Sequence, residues 1–207
     1  MERKISLLST FHSLLTIKMI VGVDEAGRGP LAGCVVSCAL YIKERIDLPL
    51  KDSKSISQTK RERFFEYLKD KVSFSLGMAT SKEIDRYNII KATYLSFNRA
   101  INSLIIKKPQ LKKATFIIDG NRFRSELAID YRCIVKADEK IREVAYASIV
   151  AKIFRDYLMK VADFVFPQWN FIKHKGYPTK EHFRLIERYN LSPLHRKSFC
   201  SSFLHTE

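Results

Sequence analysis

Acid is what this chain has too little of. Its 22 Asp and Glu face 37 Lys and Arg, for a formal net charge of +15 and a pI near 9.7. A field of that sign favours polyanions, because each neutralised phosphate releases condensed counterions. A ribosome-associated or membrane-surface protein would share the charge, but the dispersal of the basic residues among aromatics favours nucleic acid. Cysteine is scarce too. The four residues Cys34, Cys38, Cys133 and Cys200 form no C-x-x-C pair and no zinc spacing. Without a secretory signature, reduced thiols in a cytoplasmic setting are expected. No apolar run approaches the length of a transmembrane helix, so no membrane partner is expected. Internal repeats and low-complexity tracts are absent.

What is there belongs to an ordinary globular protein: 46% hydrophobic and 12% aromatic residues. A length of 207 residues suffices for one substantial core and a small appendage. Residues 1–18 are basic and leucine-rich but lack the uninterrupted apolar core and small-residue cleavage site of a signal peptide. They read as an N-terminal extension, disordered or not translated, with Met19 standing just before the first strand.

The chain is organised around the stretch from Ile20 to Gly33. A short apolar strand delivers two adjacent carboxylates, Asp24 and Glu25, into a turn containing Gly27, Arg28, Gly29, Pro30 and Gly33. Carboxylates are poor strand residues, so two at a strand end need a reason. Glycine backbone can take positive φ, approach a ligand closely and present free N–H groups to an anion. Carboxylates for a cation beside amides for an anion suggest a metal-dependent phosphate site; a polar hairpin loop is the plainer alternative.

Further strands are expected over Val35–Ile42, Val72–Ala79, Ala114–Asn121 and Tyr131–Lys136. Helices are expected from Ser55 or Ser57 to Lys69, from Ile84 to Ile106 as one long element, from Ile141 to Val161, and from Thr179 to Tyr189. Trp169 to Tyr177 reads as a loop within a separate small helical region beginning past Pro167. Strands and helices in this order make an α/β protein with one mixed sheet. Carboxylates end three strands: Asp24 with Glu25, Asp119, and Asp138. If those strands are neighbours, the acids converge, and clustered carboxylates repel one another unless a cation sits between them. Mg²⁺ or Mn²⁺ suits such oxygen ligands. Each aspartate taken alone also fits a cap or turn role, as in Asp119-Gly120-Asn121.

The sequence from Gly22 to Gly33 resembles the signature of the type 2 ribonucleases H, and of ribonuclease HII in particular. The likeness continues in order through Asp52-Ser53-Lys54, Ile118-Asp119-Gly120-Asn121, Lys136-Ala137-Asp138, Ala147–Lys152, Arg155-Asp156, His174–Tyr177 and His195–Phe199. It implies a ribonuclease H-like fold with a five-stranded mixed sheet flanked by helices. It implies a catalytic domain over 19–162 and a C-terminal helical substrate-binding region over 163–207. The implied activity is hydrolysis of the RNA strand of RNA/DNA hybrids, and cutting 5′ of ribonucleotides embedded in duplex DNA, by two metal ions. By motif position Asp24, Glu25, Asp119 and Asp138 would be both the catalytic residues and the ligands of Mg²⁺ or Mn²⁺. Gly27, Arg28 and Gly29 would hold the nucleotide whose 2′-OH is read, with Tyr177 packed on its sugar. Ser53, Lys54, Ser148, Lys152 and Arg196 are candidate phosphate contacts, while Asp156 is expected in a structural salt bridge with Lys152 or Arg155. A monomer acting on nucleic acid is expected; recruitment by a replication clamp is not read from these residues.

Three rivals stay open. Ribonuclease HIII shares the fold, though Arg28-Gly29-Pro30 favours HII. A catalytically silent nucleic-acid-binding module would not need all four carboxylates. A two-carboxylate glycosidase is poorly served by a basic chain whose single Trp169 lies far from the acids.

Overall fold

The computed structural model describes residues 19–46 and 57–201. The expectations for the 1–18 extension and for Ser53 and Lys54 lie outside the described residues.

Five strands form one sheet: β1 (Ile20–Ala26), β2 (Val35–Ile42), β3 (Val72–Ala79), β4 (Thr115–Asp119) and β5 (Asp130–Ile134), in the order β3-β2-β1-β4-β5. β1 and β2 are antiparallel, as are β2 and β3, whereas β1, β4 and β5 run parallel. The sheet is therefore mixed, with β1 at its centre. The unbroken apolar run of β4 is buried on both faces, as an interior parallel strand should be.

The first described helix, α1 (Gln58–Leu68), starts at Ser57, whose hydroxyl accepts the Lys60 N–H. The stripe expected as one helix from Ile84 to Ile106 is two, α2 (Ser81–Tyr87) and α3 (Ile89–Lys107). Asn88 breaks it. Its φ of 69° with ψ of 166° is far from helical, and its side chain caps α3 by accepting from Ile90 and Lys91 N–H at 3.0 and 3.1 Å. α2 carries its own stop-and-start signal, a reciprocal capping box between Thr80 and Glu83.

α3 and the longest helix, α4 (Arg142–Val165), cover opposite faces of the sheet. Phe97, Ala100, Ile101 and Leu104 of α3 pack with Val21, Val23, Phe116 and Ile118. Ala145, Ile149 and Val150 of α4 pack with Cys38 and Leu40. Gly22 permits the second contact, since a Cβ there would lie 2.1 Å from the backbone of Glu143.

Past α4 come a short turn of helix α5 (Phe171–His174) and α6 (Lys180–Tyr189). Trp169 to Tyr177, expected as a loop, thus contains the helical turn α5 and follows directly on a 3₁₀ turn at Pro167–Trp169. The boundary expected at 162/163 falls inside α4, which runs on to Val165. The C-terminal region also shares a core with the rest of the chain: Ala32, Met159, Ala162, Trp169 and Phe171 form one cluster. Its tail bridges Ala32 through His195, with Arg196 N–H donating to the Leu31 carbonyl at 2.8 Å.

Candidate active site

Parallel pairing of β1 with β4 sets Val23 beside Ile118, so the next residues, Asp24 and Asp119, leave neighbouring strand ends together. β1 does not bulge or stop between Asp24 and Glu25 on its other edge, where they pair with Cys38 and Ser37. Successive side chains then point to opposite faces. Asp24 is buried toward α4, near the Ser148 hydroxyl. Glu25 lies 3.4 Å from Arg28 and borders a second hollow formed with Thr93, Phe97 and Asp119. The two carboxyls nonetheless curl back toward each other at the strand end, within hydrogen-bond reach, with the Asp119 charge acting on both.

Their electrostatics still link them. The Asp24 carboxyl is pushed well above its usual range, first by burial, then by the Glu25 and Asp119 charges. The Ser148 hydroxyl and the Glu25 amide only partly offset this. Glu25 is raised as well, by burial first and by Asp119, against the lowering influence of Arg28. Three acids at close quarters, Asp24 buried and the other two partly so, form a donor set that suits a hard divalent cation, whose charge would remove the repulsion. Among the described residues no three His, Cys, Asp or Glu side chains are gathered tightly enough to hold an ion as they stand.

Asp138 reaches this region by a different route from the expected one. β5 ends at Ile134, and Asp138 sits in a 3₁₀ turn, Ala137–Glu139, entered through left-handed Lys136 (φ 56°). Asp119 Oδ1 accepts the Ala137 N–H at 2.8 Å, which ties that turn to the end of β4. Asp138 itself is buried.

Beside the acids lies a cleft of about 360 Å³ lined by Glu25, Gly27, Arg28, Arg61, Ser148, Lys152 and Tyr177. One side is the glycine turn. Gly27 has φ 98°, and a Cβ there would lie 2.1 Å from Arg155 Nε. Across the cleft, the Tyr177 ring is close enough that a Cβ on Gly29 would sit 3.9 Å from it. Lys152 Nζ and the Arg155 guanidinium lie over that ring at 5.6 and 5.5 Å from its centre.

Arg196, expected to contact substrate, is instead fully buried beneath the turn. Its guanidinium donates to the carbonyls of Gly27 (2.6 Å), Arg28 (2.8 Å) and Gly33 (2.9 Å). A guanidinium has donors enough for three carbonyls, and the sequence revealed only that the residue is a cation. In a trans peptide the N–H opposes the C=O. With the Gly27 and Arg28 carbonyls turned onto Arg196, the N–H groups of Arg28 and Gly29 face away from it.

Arg155 does a similar job. It is fully buried and donates to the carbonyls of Cys34, Ala32 and Lys175, joining the glycine turn to the segment that carries Tyr177. Asp156 pairs with Lys152 at 2.7 Å and with Arg61 at 3.3 Å. Arg61, which no sequence pattern singled out, thereby joins the cleft wall from 95 residues away. Ser148, Lys152 and Arg155 follow one face of α4 at helical spacing, a signal the sequence did contain.

The family model described as Ribonuclease HII matches residues 21–202. The chain belongs to the ribonuclease HII family. It is 43% identical over 181 residues to ribonuclease HII of Thermotoga maritima, covering 87% of this chain and 73% of the relative. Ribonuclease H2 from Pyrococcus horikoshii OT3 has a similar fold, with a TM-score of 0.72, 24% identity, and coverage of 91% of this chain and 100% of that one. A Bst ribonuclease HIII in complex with Mn²⁺ matches more loosely, with a TM-score of 0.64, 20% identity, and coverage of 84% of this chain and 63% of that one. As a member of the ribonuclease HII family, the chain is a ribonuclease H, an endonuclease of the hydrolase class.

Proposed function

We propose that this member of the ribonuclease HII family hydrolyses the RNA strand of RNA/DNA hybrids and cuts 5′ of ribonucleotides embedded in duplex DNA, leaving a 3′-hydroxyl and a 5′-phosphate. The observation that carries this reading is the meeting of two unlike features at one cleft. Glu25, whose carboxyl repels those of Asp24 and Asp119 behind it, lines one side, and a glycine turn faces Tyr177 across it.

Asp24, Glu25, Asp119 and Asp138 would hold Mg²⁺ or Mn²⁺, and the Mn²⁺ complex of the ribonuclease HIII neighbour is consistent with that choice. When bound, two such ions supply an activated water and stabilise the leaving oxygen of the phosphodiester. The chain's own residues do the rest. Arg28 and Gly29 N–H groups, aimed away from Arg196, are donors for the backbone of the ribonucleotide. The 2′-OH distinguishes RNA from DNA at a site, and reading it requires the close backbone approach that Gly27 and Gly29 permit. Tyr177 packs on the sugar and fixes its position. Lys152, held by Asp156, and the nearby Arg61 offer positive charge to the phosphates. Ser148, in the cleft wall, steadies Asp24 and stands within the surface offered to the phosphates. The enzyme acts as a monomer in the cytoplasm, where hybrids and misincorporated ribonucleotides arise.

The test is cleavage of a DNA duplex carrying one internal ribonucleotide, beside a continuous hybrid, with Mg²⁺, with Mn²⁺ and with chelator. Product ending in a 3′-hydroxyl just before the ribonucleotide, lost with chelator, is the expected result. Cleavage of the hybrid alone would remove the embedded-ribonucleotide activity, and cleavage that survives chelation would remove the metal mechanism.

A further inference from the structure

We infer that His182 and His195 are positioning residues for Tyr177, joined in one hydrogen-bonded relay that runs from the C-terminal tail to the sugar-reading residue; this rests on the role given to Tyr177 above. The three rings of His174, His182 and His195 are buried together behind the cleft, at 6%, 0% and 3% exposure. Apolar side chains would fill that space without needing partners, whereas buried imidazoles demand them.

Backbone groups decide which nitrogen carries each proton. The Ser192 N–H donates to His195 Nδ1 at 2.8 Å, so that nitrogen is bare and the neutral ring is protonated on Nε2. The Tyr177 carbonyl lies 2.9 Å from His182 Nδ1, which must therefore carry the proton and leave its own Nε2 bare. These independent assignments are complementary. The two Nε2 atoms lie 3.0 Å apart, and the His195 N–H donates to His182. The relay thus reads Ser192 to His195 to His182 to the Tyr177 carbonyl, every proton facing a lone pair.

His174 buttresses it. Its ring stacks on His182 with centres 4.1 Å apart, accepts the Gly176 N–H at Nδ1 and donates from Nε2 to the Trp169 carbonyl. Its own carbonyl accepts the Tyr177 N–H at 2.9 Å. Tyr177 is therefore held through its carbonyl by His182 and through its N–H by His174, directly after left-handed Lys175 and Gly176. Its ring stays open to the cleft. Glu181, Asp163 and Lys173 are the charged side chains that act on His174, and His174 in turn acts on the other two rings. Burial outweighs them all and keeps the three rings neutral at working pH. At the far end, His195 lies in the tail segment that bridges Ala32, so the relay connects the Tyr177 segment to the turn it faces.

The experiment compares kcat/KM on a single-ribonucleotide duplex and on a continuous hybrid, with the melting temperature of each variant as a folding check. The variants are Tyr177→Ala, His195→Asn, and the two combined. In His195→Asn the amide oxygen still reaches the Ser192 N–H, but nothing reaches His182. It should lower the ratio of single-ribonucleotide to hybrid activity by about tenfold, the worth of one buried hydrogen bond. It should have no further effect on that ratio in the Tyr177→Ala background, because both changes act through the same ring. His195→Gln, which restores a donor at the ε position, should recover part of the loss. If His195→Asn does not fold, His182→Asn, which keeps the donor to Tyr177 and removes the link to His195, takes its place. Equal losses on both substrates, or additive losses in the double variant, overturn the relay while leaving Tyr177's role intact. An unchanged ratio in Tyr177→Ala itself overturns that role and the relay with it.

Discussion

The Asp119 carboxylate accepts the Ala137 N–H at 2.8 Å, so one oxygen at the end of β4 is committed to holding the turn that carries Asp138. A carboxamide can accept the same bond with its oxygen. Asp119→Asn should therefore keep the fold and the turn while losing the charge. Cleavage should fall by roughly 10³-fold or more, the scale of losing a member of a catalytic set, with hybrid binding retained. Asp119 also raises the Asp24 and Glu25 carboxyls, so in chelator the variant should melt no lower than the parent. Turnover near normal would show that Asp119 is not a ligand.

Gly27→Ala tests the turn. The position needs φ 98°, and the added methyl would meet Arg155 Nε at 2.1 Å. A cost of about 1–3 kcal/mol for the backbone conformation alone is expected, seen as a lower melting temperature. Because Arg155 also ties down the Lys175 carbonyl, the displacement reaches the Tyr177 segment, and single-ribonucleotide cleavage should fall more than the melting temperature predicts. A fully active, equally stable variant would contradict the close packing.

Lys152→Ala removes one positive charge from the cleft wall. In chelator, where binding is separated from cleavage, the slope of log Kd against log salt for a hybrid should decrease by about 1. An unchanged slope would mean that Lys152 serves only Asp156, its partner at 2.7 Å.

Acid should weaken the fold through the buried histidines of the C-terminal region. His182 and His195 are each pushed down to about 4 from an ordinary 6.5, chiefly by burial. The unfolded chain binds these protons more tightly, so the stabilisation is complete above about pH 6.5 and drains away as pH falls toward 4. Melting temperatures measured across that window should decline, and His195→Asn should flatten the decline. A flat profile for the parent protein would mean that these histidines are not held neutral.

The α/β plan was legible because the apolar runs are long and well punctuated, and the strand-end acids because charge is out of place there. Asp24 and Asp119 needed only the adjacency of β1 and β4. What escaped depended on contacts between distant residues. Arg61 falls in phase with Phe64, Phe65 and Leu68 on the inward side of α1, where a cation carries no local mark, and only its approach to Asp156, 95 positions away, gives it a role. Arg196 looked like any cation near a phosphate; its burial follows from the tail's bridge to Ala32, which no local pattern encodes. The break at Asn88 was hidden because the apolar stripe continues in phase across it, whereas the capping signals of Thr80 and Glu83 were present in the sequence. The face of α4 running through Ser148, Lys152 and Arg155 was readable from spacing alone.

Arg196 reaches back 169 residues to clasp the Gly27 carbonyl. A span of that length closes by long-range folding, so the shape of the turn belongs to the whole fold and not to the local sequence. Local opening of the tail alone would leave the acids on their strands while loosening the turn beside them, parting cutting from recognition.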